Sequence, residues 1–212
     1  MPHPNRRRFI SSVAALAGAA TALADSAQAS PIPQSDWDMS WLDRLTGKHK
    51  QVFDLHEMDS LRIIKNWLDA YLEVYGLGHP DVNPVVGIAG SAFPVNATDA
   101  LYQKYPIGEL WKVTDPETQK PALRNIFLSG GKTPREQQTK VKALQARGTI
   151  FWQCNKALTR QAGRIAEAAH QPEEEVYREL RGGLNPGVIL VPAHTMLVGL
   201  CQERGCTYES LS

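Results

Sequence analysis

The chain is predicted to fold as an α/β protein, a three-layer αβα arrangement on a mostly parallel sheet of about five strands. Three observations predict it. Apolar runs of strand length alternate with segments of helical periodicity from residue 48 onward. Two of the runs, VNPVVGIA at 82–89 and GVILV at 187–191, are nearly continuous, as expected of strands covered by helices on both faces. Glycines fall where the intervening helices should stop.

Residues 30–47 read as a linker and first turn, with Pro31 and Pro33 followed by Trp37 and Trp41 in a short amphipathic piece. Lys50–His56 is the first expected strand, with Val52, Phe53 and Leu55 apolar. Asp59 or Ser60 caps a helix carrying Leu61, Ile64, Leu68, Leu72 and Tyr75 at helical spacing, and Gly76 ends it. Val82–Ala89 is the second strand, followed by the small-residue loop Gly90-Ser91-Ala92. Asn96 or Thr98 caps a helix through Tyr105. The stretch from Pro106 to Pro134 is irregular, punctuated by Pro, Gly, Asp and Asn, and long enough to suggest a functional loop.

Thr133-Pro134 opens a helix expected to run to Arg147, where Gly148 stops it. The short apolar strand ending on Cys154 follows, then a helix from Lys156 to Ala169. Pro172-Glu173-Glu174-Glu175 gives the next helix an acidic first turn, and Gly182-Gly183 close it. After the strand Gly187–Val191, Pro192 opens a last helix to Arg204, and Thr207–Ser210 is a short terminal strand. Strand order does not follow from this pattern.

The 212 residues are enough for one domain with a full core. A balance of 23 basic against 22 acidic residues gives no nucleic-acid footprint. No apolar run in the body of the chain is long enough to span a bilayer. The N-terminus is separate. Asn5-Arg6-Arg7-Arg8-Phe9-Ile10 carries a twin-arginine signature centred on Arg6 and Arg7. An alanine-rich apolar segment follows to Ala24, and Ala27-Gln28-Ala29 gives a cleavage pattern that leaves Ser30 first. The expected organisation is a signal peptide at 1–29, a linker at 30–47 and one α/β domain at 48–212. The expected location is the periplasm, reached by the twin-arginine route, with no membrane attachment after cleavage. Cleavage removes three arginines and Asp25, so the mature chain stays close to neutral.

Cys154 ends a strand at the edge where parallel α/β sheets place their chemistry. Asn155 can cap the following helix, whose N-terminal end favours an anion, and Lys156 and Arg160 add positive charge. Together these favour a thiolate at Cys154. The alternative is a small buried residue, since free cysteine is among the most buried types. Export would put the cysteines in an oxidising compartment. Cys201 and Cys206 flank the expected helix end at Gly205 as C3 and C″ of a Schellman cap, whose side chains touch. They are a disulfide candidate, the alternative being two packed thiols, and a bridge would leave Cys154 as the odd thiol.

His56 closes the first strand and His194 follows the last core strand, so both fall at the same sheet edge as Cys154. Thiolate and imidazole suit zinc or copper, and three ligands leave a position open. A histidine beside a thiol can instead act as base or proton donor, or simply bond to backbone at a strand end. Ser91 reads as an anion-facing residue or a tight turn. Arg124 reads as an anion ligand or a tie for its loop. Glu57 and Asp59 read as acid/base groups or helix caps. No phosphate loop, dinucleotide fingerprint or nucleophile elbow is present.

The stretch LNPGVILVPAHTMLVGLCQERGCTY at 184–208 resembles the closing pattern of the DsrE/DsrF-like group, compact α/β proteins linked to sulfur relay. LQARGTIFWQCNKAL at 144–158 resembles that group's Leu-x-x-Arg-Gly strand ending in Cys-Asn. FDLHE at 53–57, Lys104-Tyr105-x-x-Gly108 and Arg124-Asn125 are similar to a periplasmic branch. The likeness covers residues 48–212. It departs at His194, where relatives more often carry a small residue or Met. The resemblance implies a persulfide carried on Cys154, a small sulfur species or sulfur-relay protein as partner, and a ring-like or paired homo-oligomer. The expected function is therefore sulfur binding or transfer. The alternatives are a non-catalytic periplasmic module for a small ligand or metal, or a structural homo-oligomer.

Overall fold

A computed structural model describes residues 37–212 of the chain. The twin-arginine pair Arg6 and Arg7 and the cleavage pattern at 27–29 lie outside the described residues. Five strands form one sheet: β1 (His49–Leu55), β2 (Val82–Ile88), β3 (Ile150–Cys154), β4 (Val188–Val191) and β5 (Thr207–Leu211). The order is β4-β3-β2-β1-β5, and every pairing is parallel. The protein is therefore α/β with helices on both faces of a parallel sheet, as the alternation of elements predicts.

The helices are α1 (Leu61–Tyr75), α2 (Asp99–Lys104), α3 (Ile107–Leu110), α4 (Pro134–Gln137), α5 (Val141–Ala146), α6 (Asn155–Ala169), α7 (Glu173–Gly182) and α8 (His194–Glu203). From β1 to β4 the chain steps across the sheet in one direction, so right-handed crossovers put α1 to α7 on one face. The step from β4 to β5 runs back across the sheet and puts α8 on the other. The two cores agree. Phe53, Val86 and Phe151 pack with residues of α1, α2, α5, α6 and α7. Val52, Val85 and Trp152 pack with Leu197 and Cys201 of α8 and with Trp41, Leu42 and Leu45. The residues read as the end of a linker thus belong, from Trp37 on, to the body: Ser40–Arg44 forms a 3-10 turn and Trp41 stacks at 5.7 Å on Trp152.

The expected helix over 133–147 is two helices. Between them Val141 N–H donates to the Phe127 carbonyl and Lys142 N–H to that of Leu128. Docking on this neighbouring segment interrupts the helical ladder. The irregular stretch before it is organised by Asn125, whose side chain donates to the Val95 and Ala97 carbonyls and accepts from the Phe127 and Leu128 amides. The end of α8 fulfils the cap expected there. Gly205, at φ 82°, donates to the Gln202 carbonyl, and Cys206 N–H donates to that of Cys201 at 3.0 Å. Among the described residues no helix is long and apolar enough to cross a membrane.

Candidate functional site

Side chains alternate along a strand, so one row across the sheet points to one face. Pairing places Asp54 of β1 beside Gly87 of β2, and Gly87 beside Trp152 of β3. All three fall on the α8 face. The row is a polar residue, a gap and an indole, and the gap is where His194, first residue of α8, lays its ring. A Cβ built on Gly87 would lie 2.5 Å from Trp152 Cζ2 and 2.7 Å from His194 Cε1. Gly87 is therefore a seat for the imidazole.

The ring is held on both sides. Trp152 Nε1–H donates to His194 Nδ1 at 3.1 Å. An indole N–H can only donate, so Nδ1 is the acceptor and Nε2 carries the proton. Nε2 lies 3.1 Å from Asp54 Oδ1. The approach is off-line for a well-aligned hydrogen bond, yet neither atom has another protein partner. The other oxygen of Asp54 accepts from Tyr208 Oη–H of β5 at 2.9 Å and faces His56 Nε2 at 3.3 Å. Asp54 is 7% exposed and His194 8%. Burial pushes the Asp54 carboxyl up, but the contacts with His194, Tyr208 and His56 together outweigh it and hold the group below its ordinary value. Burial and the Asp54 carboxylate raise Tyr208.

Cys154 completes the cluster. Its sulfur accepts the backbone N–H of His194 at 3.3 Å. The sulfur thus sits at the N-terminus of α8, not of α6 as its sequence position suggests, because Cys154 points to the α8 face while α6 packs on the opposite one. Cys154 is 4% exposed.

The structure brings Cys154, His56 and His194 to one edge, with divided roles. His194 meets the sulfur through its backbone, while its Nδ1 accepts from Trp152 and its Nε2 faces Asp54. With Nδ1 accepting from Trp152 and the proton on Nε2, the ring offers the thiol no free lone pair. Among the described residues no three His, Cys, Asp or Glu side chains converge as a metal set.

His56 looks the other way as well. Its side chain is 46% exposed. It lines a cleft of about 590 Å³ over the carboxyl ends of β1 and β2, together with Met58, Asp59, Ser91, Trp111 and Phe127. Ser91 donates its hydroxyl to the His56 carbonyl at 2.6 Å and so fastens the two strand ends. On the α8 face, Asp54, His194 and Tyr208 open onto a shallow dish of about 270 Å³.

Asn155 and Arg124 stand apart from this cluster. Asn155 Oδ1 accepts from the Tyr177 hydroxyl at 2.7 Å and joins α6 to α7. Arg124 Nε and a terminal nitrogen reach Asp115 at 2.7 and 3.3 Å, and a terminal nitrogen reaches Glu117 at 2.8 Å. It ties its own loop, and its guanidinium holds Asp115 down to about 2. Cys201 and Cys206 are both buried thiols in the α8-face core.

Asp54, Trp152 and Tyr208 do not stand out as site residues in the sequence. One signal was available: Asp54 is a lone acid between Phe53 and Leu55 near a strand's carboxyl end. No protein-family model matches the chain, and no curated protein matches it in sequence. The likeness to DsrE/DsrF-like proteins rests on the motifs alone.

Proposed function

We propose that this is an exported DsrE-like protein that binds or transfers sulfur through Cys154, as a persulfide carrier or sulfurtransferase. The observation that carries the reading is the His194 N–H donated to Cys154 Sγ at 3.3 Å from the first residue of α8. That backbone donor fixes the sulfur at a helix N-terminus, where an attack on sulfane sulfur would start. Asp54, Gly87 and Trp152 act as positioning residues, because they fix the residue that supplies that donor. His56, oriented by Asp54 and open to solvent, is the group suited to proton transfer in the cleft. Export through Arg6 and Arg7 to the periplasm and assembly as a homo-oligomer belong to the same proposal. Its partner is a small sulfur species or a relay protein.

The test is uptake of sulfur from a glutathione persulfide donor by the native protein, read by intact mass. The expected result is one added sulfur on the Cys154 peptide, absent in Cys154→Ser. Uptake only after denaturation would remove the reading. A second reading, a small-ligand module without covalent chemistry, is favoured by one observation: His56 lines the 590 Å³ cleft whereas Cys154 does not. It predicts ligand binding unchanged in Cys154→Ser.

A further inference from the structure

Cys201 and Cys206 stand at the opposite end of α8 from the proposed sulfur site. The Schellman cap folds residue 206 back over residue 201: the Cys206 amide bonds to the Cys201 carbonyl, and Gly205 takes the left-handed turn that makes this reach feasible. The two side chains meet inside the same apolar cluster, at 0% and 6% exposure. They are not equivalent. The neighbouring Cys206 sulfur and burial push the Cys201 thiol up. The Cys201 thiol beside it pulls Cys206 down against the opposing effect of burial, with Lys50 and Arg204 adding positive charge. A Cβ on Gly205 would lie 3.9 Å from Lys50 Nζ, so the ammonium sits over this turn.

We infer that Cys201 and Cys206 are a thiol–disulfide exchange pair, with Cys206 attacking and Cys201 resolving, whose bridge pins the end of α8 to the start of β5. The co-reactant is a low-molecular-weight disulfide. The Cys206 thiolate attacks one of its sulfurs, the reagent S–S bond breaks, and one small thiolate leaves. Cys201 loses its proton and attacks the Cys206 sulfur, expelling the second small thiolate and forming the protein bridge. Two electrons pass from the protein to the reagent, and the released thiolates take up the two protons. Cys154 has no part in these steps, so this inference stands or falls separately from the sulfur reading.

The purified protein is equilibrated in oxidised or reduced glutathione, quenched in acid and alkylated under denaturing conditions. Of its three cysteines, only Cys154 should take the label after oxidation, and all three after reduction. The Cys154→Ser protein should form the same bridge. Three labels in both buffers, or a bridge that includes Cys154, would overturn the inference. Cys201→Ser should trap glutathione on Cys206, while Cys206→Ser leaves Cys201 unmodified, and the reverse pattern overturns the assigned roles. Closing so short a loop should raise the Tm of the wild-type protein by about 5 °C. A bridged protein that melts with the reduced one would show that the bond does not pin the helix.

Discussion

The two faces of the sheet are built from the same strands, yet they carry different polar groups. On the face covered by α1 to α7, the buried amides are spent on structure, and the buried carboxylate Asp115 is paired with Arg124. Asn96 donates to the Trp152 carbonyl and to Gln153, and Asn125 and Asn185 both donate to the Val95 carbonyl. On the α8 face the buried amide Asn83 is joined by ionisable groups, Asp54, His194 and the Cys154 thiol, with the more exposed Tyr208 beside them. The difference follows from cover. α1 to α7 cover their face more fully, and a buried group that can charge is costly there unless it is paired. α8 leaves the dish at Asp54 and His194 open, so titratable groups are tolerated on the thin side. Alternation within one strand is enough to separate these ionisable groups from the apolar scaffold.

The largest expected effect breaks the thick side. Phe151→Ala, with Phe151 fully buried in the larger core, should cost about 3–5 kcal/mol in urea denaturation. A cost under about 1 kcal/mol would mean that the covered face is not the main store of stability. Gly87→Ala strikes the thin side by overfilling the seat of His194, at about 1–3 kcal/mol. It should also speed alkylation of Cys154, because displacing the ring lifts the start of α8. An unchanged alkylation rate would separate the seat from the thiol.

Asp54→Asn should cost about 1–3 kcal/mol near neutral pH, since Tyr208 and two imidazoles lose their carboxylate. The folded Asp54 value lies below the unfolded one. Its stabilisation is thus complete above the unfolded value near 4 and is lost as pH falls through the folded one. Wild type and variant should converge in acid, and parallel pH profiles would rule out a charged Asp54. The smallest effect is Arg124→Ala. It should leave both the urea midpoint and Cys154 reactivity within error, because the residue serves only its own loop.

The sheet was largely legible in the sequence because buried parallel strands write themselves as uninterrupted apolar runs, as at 82–89. The α8 cap was legible from Gly205 and its neighbours because the Schellman geometry is local. The site was legible only in part. Cys154 and the two histidines could be placed at one edge from alternation, but which helix end the sulfur faces depends on which side of the sheet each crossover takes. That in turn depends on strand order, which no local pattern encodes. The break between α4 and α5 was hidden for the same reason, since Phe127 and Leu128 compete for the amides of 141 and 142 only once the chain is folded.

Cys154 lies beneath the first residue of α8, at 4% exposure. Alkylation of this thiol is therefore expected to be gated: a reagent should meet the sulfur in the fraction of molecules whose α8 start has opened, at an intrinsic rate scaled by a local opening equilibrium. Alkylation then reports on motion as much as on acidity, and its dependence on dilute urea measures the surface that the opening exposes. A shallow dependence would mark a fraying of one helical turn, and a steep one the release of the whole of α8.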